Sequence, residues 1–221
     1  MEKEELSRGQ YRVYLDRYEY RTLLNNAPDP TTALAIRLGG EVGLKVSEIV
    51  NVQLQHAERS DVAPDKYFLF IPTEEDEDDQ YARGRPRRAY LPRSVHEFMQ
   101  EYAEANDVSH NEDLIQYAMR SIQNFVKDAA KAAAEETGKE DFELVSSLDL
   151  RIFFARQAIS RWRIHPRVLL EIGGWNDMQS LREQLEEPTE TKIIREFERV
   201  EFQGLDEWMT DVGPRPMQDR D

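Results

Sequence analysis

Apolar residues in the second half of the chain recur at helical spacing. Leu114, Ala118, Ile122, Phe125, Val126, Ala129 and Ala133 share one face, which predicts a long helix stopped by Gly138. A further helix starts near Ser147, its stripe being Leu150, Phe153, Phe154, Ala158 and Trp162. HPRVLLEIGGW (165–175) reads as a short helix closed by a Gly-Gly turn, and NDMQSLREQL as another. Upstream, a helix runs from Thr31 or Thr32 through ALAIRL to Gly39, Gly40 or Gly43, and Ser47 is placed to cap EIVNVQL. Ser94 and Glu97 form a capping-box pattern ahead of Val95, Phe98, Met99 and Tyr102.

The pattern changes only between these helices. YFLFIP (67–72) is a short apolar run closed by proline, and RGRPRRAYLP (83–92) reads as its returning strand across the acidic loop TEEDEDD. The expected fold is mainly α with a small antiparallel β-sheet (α+β). Residues 1–11 are expected as an N-terminal tail, 12–203 as one domain with a last amphipathic helix at about 190–201, and 204–221 as a flexible tail. That last helix would present Ile193, Ile194, Phe197 and Val200.

Composition narrows the function. The 221 residues carry a formal net charge of −15 and no cysteine, which excludes disulfides, thiolate nucleophiles and cysteine-ligated metals. MEKEELSRGQ is charged rather than apolar, and no run approaches the roughly 20 apolar residues that span a bilayer. A soluble, cytoplasmic protein is expected. Such acidity opposes polyanion binding and fits either an acidic partner-binding protein or a high-salt cytoplasm, where charge repulsion is screened to about 3 Å at 1 M. The scarcity of lysine beside arginine favours the halophilic reading. The four histidines (His56, His96, His110, His165) lack metal spacing, and no glycine-rich phosphate loop or hydrolase elbow occurs, so neither cofactor, metal nor small-molecule substrate is expected.

Three basic constellations remain. In VGLKVSEI (42–49), Gly43 permits a left-handed turn and a capped helix follows, so Lys45 is either a solvated loop charge or a cation held toward a phosphate. Arg151 in LDLR sits at the edge of a buried face, where a guanidinium needs a carboxylate, a carbonyl or a phosphate. In the returning strand, alternation sends Arg83, Arg85 and Arg87 to one face with Arg88 beside them. They suit a sugar-phosphate backbone, or pairing with the neighbouring acidic loop.

Taken in order, these pieces resemble the C-terminal catalytic domain of tyrosine recombinases, the phage-integrase family, over about residues 12–190. YLDRYEYRTLL is similar to the domain's opening segment, and ALAIRLGGEVGLKVSEIVNVQL to the first box, usually T-G-L-R-x-S-E-L. RGRPRRAYLP resembles the hairpin strand that carries a basic catalytic residue, and LDLRIFFARQAI the second box, H-x-L-R-H-T-F-A. HPRVLLEIGGWND resembles the stretch ending in Leu-Gly-His or Leu-Gly-Trp. The family's separate N-terminal clamp domain is not part of the match.

By this resemblance Lys45 holds the first arginine position, Arg151 the second, and Trp175 the His/Trp position. Arg83 or Arg85 replaces the hairpin lysine, Leu148 and Ile152 the second-box histidines, and the nucleophilic tyrosine falls near Gln184. No tyrosine follows Tyr117. Without that oxygen no phosphotyrosyl intermediate forms, and Leu148 donates no hydrogen bond to a phosphorane. The resemblance therefore implies double-stranded DNA as partner, contacted by Lys45, Arg83, Arg85, Arg87, Arg88 and Arg151. It implies a regulator or accessory factor of DNA or a mobile element, without autonomous cleavage, whose Ile193, Ile194 and Phe197 either join a homo-oligomer or dock the last helix on its own domain. An active divergent recombinase, or an interaction module that has lost DNA, are the alternatives.

Overall fold

Polar contacts, not apolar patterning, begin the fold. In the computed structural model, which describes residues 1–7, 9–72, 86–185, 188–191 and 193–194, strands β1 (Glu2–Ser7) and β2 (Gln10–Tyr14) pair antiparallel. This corrects the expected tail at 1–11. EKEELS has no buried stripe; it is tied instead by Lys3 to Asp141 at 2.6 Å, by the Tyr14 hydroxyl donating to Glu4 at 2.8 Å, and by the terminal ammonium to Glu19 at 3.0 Å. Hydrophobic periodicity cannot register such contacts.

The chain divides into two compact units, Met1–Leu185 and Glu186–Asp221. In the first, helices α1 (Arg17–Asn25) and α2 (Pro30–Arg37) are capped by Asp16 and Asp29, whose carboxylates accept the Glu19 and Thr32 amides at 2.8 and 2.7 Å. A π-helical turn, Leu38–Val42, extends α2 into Gly43, whose φ of 81° is the left-handed turn foreseen there. Helix α3 (Val46–Ile49) follows, with Lys45 at its N-cap position; Ser47 lies inside it, not before it.

Strands β3 (Ala57–Arg59), β4 (Tyr67–Ile71) and β5 (Arg87–Leu91) form one antiparallel sheet in that order, with Tyr67 opposite Leu91 and Ile71 opposite Arg87. Helix α4 (Arg93–Ala105) starts after Pro92, and Glu97 pairs with Arg93 at 2.9 Å instead of closing the expected capping box. The long helix α5 (Met119–Thr137) ends at Gly138 with φ 67°, as its sequence requires; Leu114 precedes it. Helices α6 (Ser147–Arg156), α7 (Pro166–Gly173) and α8 (Met178–Arg182) complete the unit. The fold is mainly helical with small antiparallel sheets.

Three apolar clusters hold it together. Leu34, Leu38, Leu69, Leu91 and Met99 join α2 and α4 to the sheet; Val13, Leu23, Val126 and Phe142 join β2 and α1 to α5; Phe154, Leu169, Trp175 and Leu181 join α6, α7 and α8. Trp162, assigned by spacing to the α6 stripe, lies beyond a second π-helical turn (Gln157–Arg161) and is half exposed, because that wider turn rotates it off the buried face. In the second unit, the Ile193 amide donates to Thr189 at 3.0 Å in a helical turn; Phe197 and Val200 of the expected last helix, the tail 204–221, and Arg83 and Arg85 lie outside the described residues. No helix among the described residues is long and apolar enough to cross a membrane.

Asp149 locks α6 onto β2. Its buried carboxylate accepts the Val13 amide at 2.8 Å, the Ser146 amide at 2.8 Å and the Ser146 hydroxyl at 2.7 Å. Burial pushes its carboxyl above the ordinary value of 3.8, against the pull of those donors. A raised folded-state pKa gives stability that is fully present below the unfolded pKa and is lost as pH rises through the folded one. The advantage of wild type over Asp149→Asn is therefore expected to be greatest in acid and to shrink as pH rises above the ordinary carboxylate value, read from urea midpoints over a pH series.

Candidate functional site

Gly43 begins the site. A side chain there would strike the Phe154 ring, so the turn stays bare and its carbonyl accepts a hydrogen bond from Arg151 at 2.5 Å. The Arg151 guanidinium lies over the Trp175 ring at 4.0 Å. It is 6% exposed and forms no ion pair with a carboxylate among the described residues. Burial lowers its pKa to about 10; Glu48 acts in the opposite direction and Arg87 adds to the lowering. This cation is held at a desolvation cost that its neighbours only partly offset.

Glu48 is the hinge of the cluster. One carboxylate oxygen accepts the Lys45 amide at 2.7 Å, and the two oxygens receive both terminal nitrogens of Arg87 at 2.6 and 3.0 Å. Arg87 Nε donates to the Ile172 carbonyl at 3.2 Å, tying β5 to α7. Gly174, at φ 66°, lets the chain pass close over this guanidinium; a Cβ there would stand 2.6 Å from Nε. The bidentate pair is nearly buried, with side chains 6% and 13% exposed.

Two adjoining hollows open beside the cluster. The first, about 410 Å³, is lined by Lys45, Leu148, Arg151, Trp175 and Gln184, together with the hydroxyl residues Ser147 and Ser180. The second, about 380 Å³, is lined by Lys45, Glu48, Arg87, Arg167, Glu171 and Trp175. Lys45 is exposed at the boundary they share. Five positions singled out in the sequence thus meet around one space, although they come from the turn before α3, from α6, and from the segments flanking α8. No tyrosine lines either hollow among the described residues.

The remaining positions part company with this group. Ile152 is fully buried in the core. Arg87 is turned inward with Ala89 and Leu91, which corrects its expected place on an open basic face; Glu48 satisfies it there. Arg88 points to the other face, pairs with Glu58 at 3.1 Å and lies over Phe68 at 4.7 Å. Glu48 was overlooked as a site residue, though its place three residues after Lys45 in GLKVSE carried the signal of a carboxylate returning to an N-terminal amide. Among the described residues, no group of three or more His, Asp or Glu side chains could hold a metal ion.

The arrangement of α-helices around the three-stranded sheet is a tyrosine recombinase-like catalytic-domain fold. The XerA recombinase matches it with a TM-score of 0.63 at 15% identity, over 88% of this chain and 66% of that one. The XerH site-specific recombinase, solved bound to palindromic difH substrate in a post-cleavage complex, gives 0.64 at 13% identity, over 89% of this chain and 55% of its own. A lambda integrase dimer bound to a COC′ core site gives 0.57 at 13%, over 89% and 53%. The chain thus spans two-thirds or less of these proteins, and the likeness is one of fold. No protein-family model matches the sequence, and no curated protein does.

Proposed function

We propose that the protein binds duplex DNA through the Lys45–Arg151–Trp175 hollow and lacks autonomous strand cleavage, acting as a regulator or accessory factor for DNA or a mobile element. The observation that carries the reading is Arg151: a buried guanidinium beside a hollow, its charge met by a carbonyl and a ring rather than a paired carboxylate. A phosphate oxygen entering beside Lys45 would supply the missing counter-charge. Cleavage chemistry needs more. Gln184 offers an amide where a hydroxyl must attack, Leu148 no hydrogen bond for the developing phosphorane, and Lys45 a point charge instead of arginine's fork. Arg83, Arg85 and Arg88 extend the proposed backbone contact, and a helix bearing Ile193, Ile194 and Phe197 would join neighbouring protomers. DNA binding would place the protein on the nucleoid.

The acidity sets conditions on this reading. Each phosphate contact on a duplex steepens the salt dependence by about 0.9 in log–log slope, so a few contacts alone bind weakly in molar salt. In a high-salt cytoplasm, shape and apolar contacts along the fold would have to contribute. Ser147 and Ser180 give the second reading, a divergent recombinase attacking through a serine oxygen, its one supporting observation.

The test is a native gel shift on duplex DNA at low and moderate salt. Binding that weakens with salt and falls at least about tenfold in Lys45→Glu is the expected outcome. No shift even at low salt, or a shift indifferent to Lys45→Glu, contradicts the proposal and favours a protein-interaction module.

A further inference from the structure

Away from that hollow, two stretches more than 130 residues apart build a second basic groove. α1 contributes Arg17 and Arg21, four residues apart and so on one helical face; the end of α6 and the π-helical turn contribute Arg156 and Arg161. The groove measures about 590 Å³. Four guanidiniums gathered in a chain of net charge −15 repel one another and demand an explanation.

Local carboxylates do not supply it. Asp16 lines the groove but is engaged as the α1 cap, accepting the Glu19 amide at 2.8 Å. Glu19 is buried and paired with the terminal ammonium at 3.0 Å. Glu2 reaches Arg156 at 3.5 Å, and Arg156 also lies over the Tyr14 ring. Arg17, Arg21 and Arg161 are exposed and form no hydrogen bond or ion pair among the described residues. Beside them Tyr18 presents its ring at 82% exposure.

We infer that this groove binds single-stranded nucleic acid, its guanidiniums holding successive phosphates and Tyr18 stacking on an unpaired base. The ring decides between occupants. In a duplex the base faces are already stacked on each other and leave Tyr18 nothing to cover; an acidic peptide would use the arginines and ignore the ring. A single strand uses both, which is the usual pairing of basic groove and aromatic platform. The groove stands apart from the Lys45 hollow, so either reading can fail alone.

Fluorescence anisotropy of labelled dT12 with the full chain tests the inference. Saturable binding is expected at about 50 mM salt, with Tyr18→Ala weakening it by about fivefold or more. Arg17→Ala/Arg21→Ala/Arg161→Ala should abolish most of it and, for three lost phosphate contacts, flatten the log–log salt slope by about 2. The substituted side chains are exposed, so the circular dichroism spectrum and urea midpoint should match wild type. Duplex retardation by the triple variant should stay within about threefold of wild type, apart from general charge effects. Absence of dT12 binding, or binding unchanged in the triple variant, overturns the inference. Equal competition by polyglutamate assigns the groove to an acidic protein surface, and equal competition by a 12-base-pair duplex assigns it to backbone contact alone; both also overturn it.

Discussion

Glu48→Ala should unfold at a much lower denaturant concentration than wild type, with a loss of about 3–5 kcal/mol. The cause is what the substitution leaves behind. Arg87 keeps its charge in a place where its side chain is 6% exposed, with the Ile172 carbonyl as its one remaining hydrogen-bond partner among the described residues. Arg151, already held down to a pKa of about 10 by burial, loses the neighbouring anion that opposes that fall. The Lys45 amide loses its acceptor as well. Replacing both partners, as in Glu48→Leu/Arg87→Met, should recover most of the loss, because the Arg87 charge is then not stranded and Arg151 loses its repelling neighbour together with the anion. Guanidinium denaturation followed by circular dichroism checks both variants; a single-variant loss under about 1 kcal/mol would mean the pair is solvated like a surface bridge.

Duplex affinity should fall by about a hundredfold or more in Lys45→Ala/Arg151→Gln, since hydrogen bonds to charged groups contribute about 1.5–3 kcal/mol each. The two substitutions act differently. Lys45 is exposed, and its loss would remove the proposed phosphate contact. Arg151 bridges the Gly43 turn and the Trp175 ring, so Gln at that position also loosens the wall of the hollow. A double-mutant cycle on gel-shift affinities separates these effects: a coupling energy above about 0.5 kcal/mol is expected if both cations grip one phosphate. Strict additivity would place them on different phosphates.

Much of the fold was legible where burial is amphipathic. α5 and α7 announce themselves through apolar spacing and through Gly138 and Gly174, both in left-handed conformation. The β4–β5 hairpin follows from YFLFI and RRAYL. β1 is not legible because its contacts are polar, and the α6 stripe ends sooner than its spacing predicts because a π-helical turn shifts the period at Gln157. The inward turn of Arg87 could have been inferred: it shares strand parity with Ala89 and Leu91, and an apolar face of that parity has to be the core face. What no local pattern could give is the meeting of Lys45, Leu148, Arg151, Trp175 and Gln184 around one hollow; only the family resemblance ordered them in advance. The Arg17–Arg21–Arg161 groove escaped notice for a related reason, since neither of its halves is densely basic alone.

A phosphate-facing hollow without the chemistry to cut should hold DNA but never join it covalently. A nicked suicide duplex, incubated with the protein and run on native and denaturing gels in parallel, tests this most directly. The expected result is a retarded band under native conditions, diminished by Lys45→Glu, and no protein-linked DNA after denaturation. A covalent adduct that survives denaturation would contradict it, and its loss in Ser147→Ala or Ser180→Ala would identify the attacking oxygen.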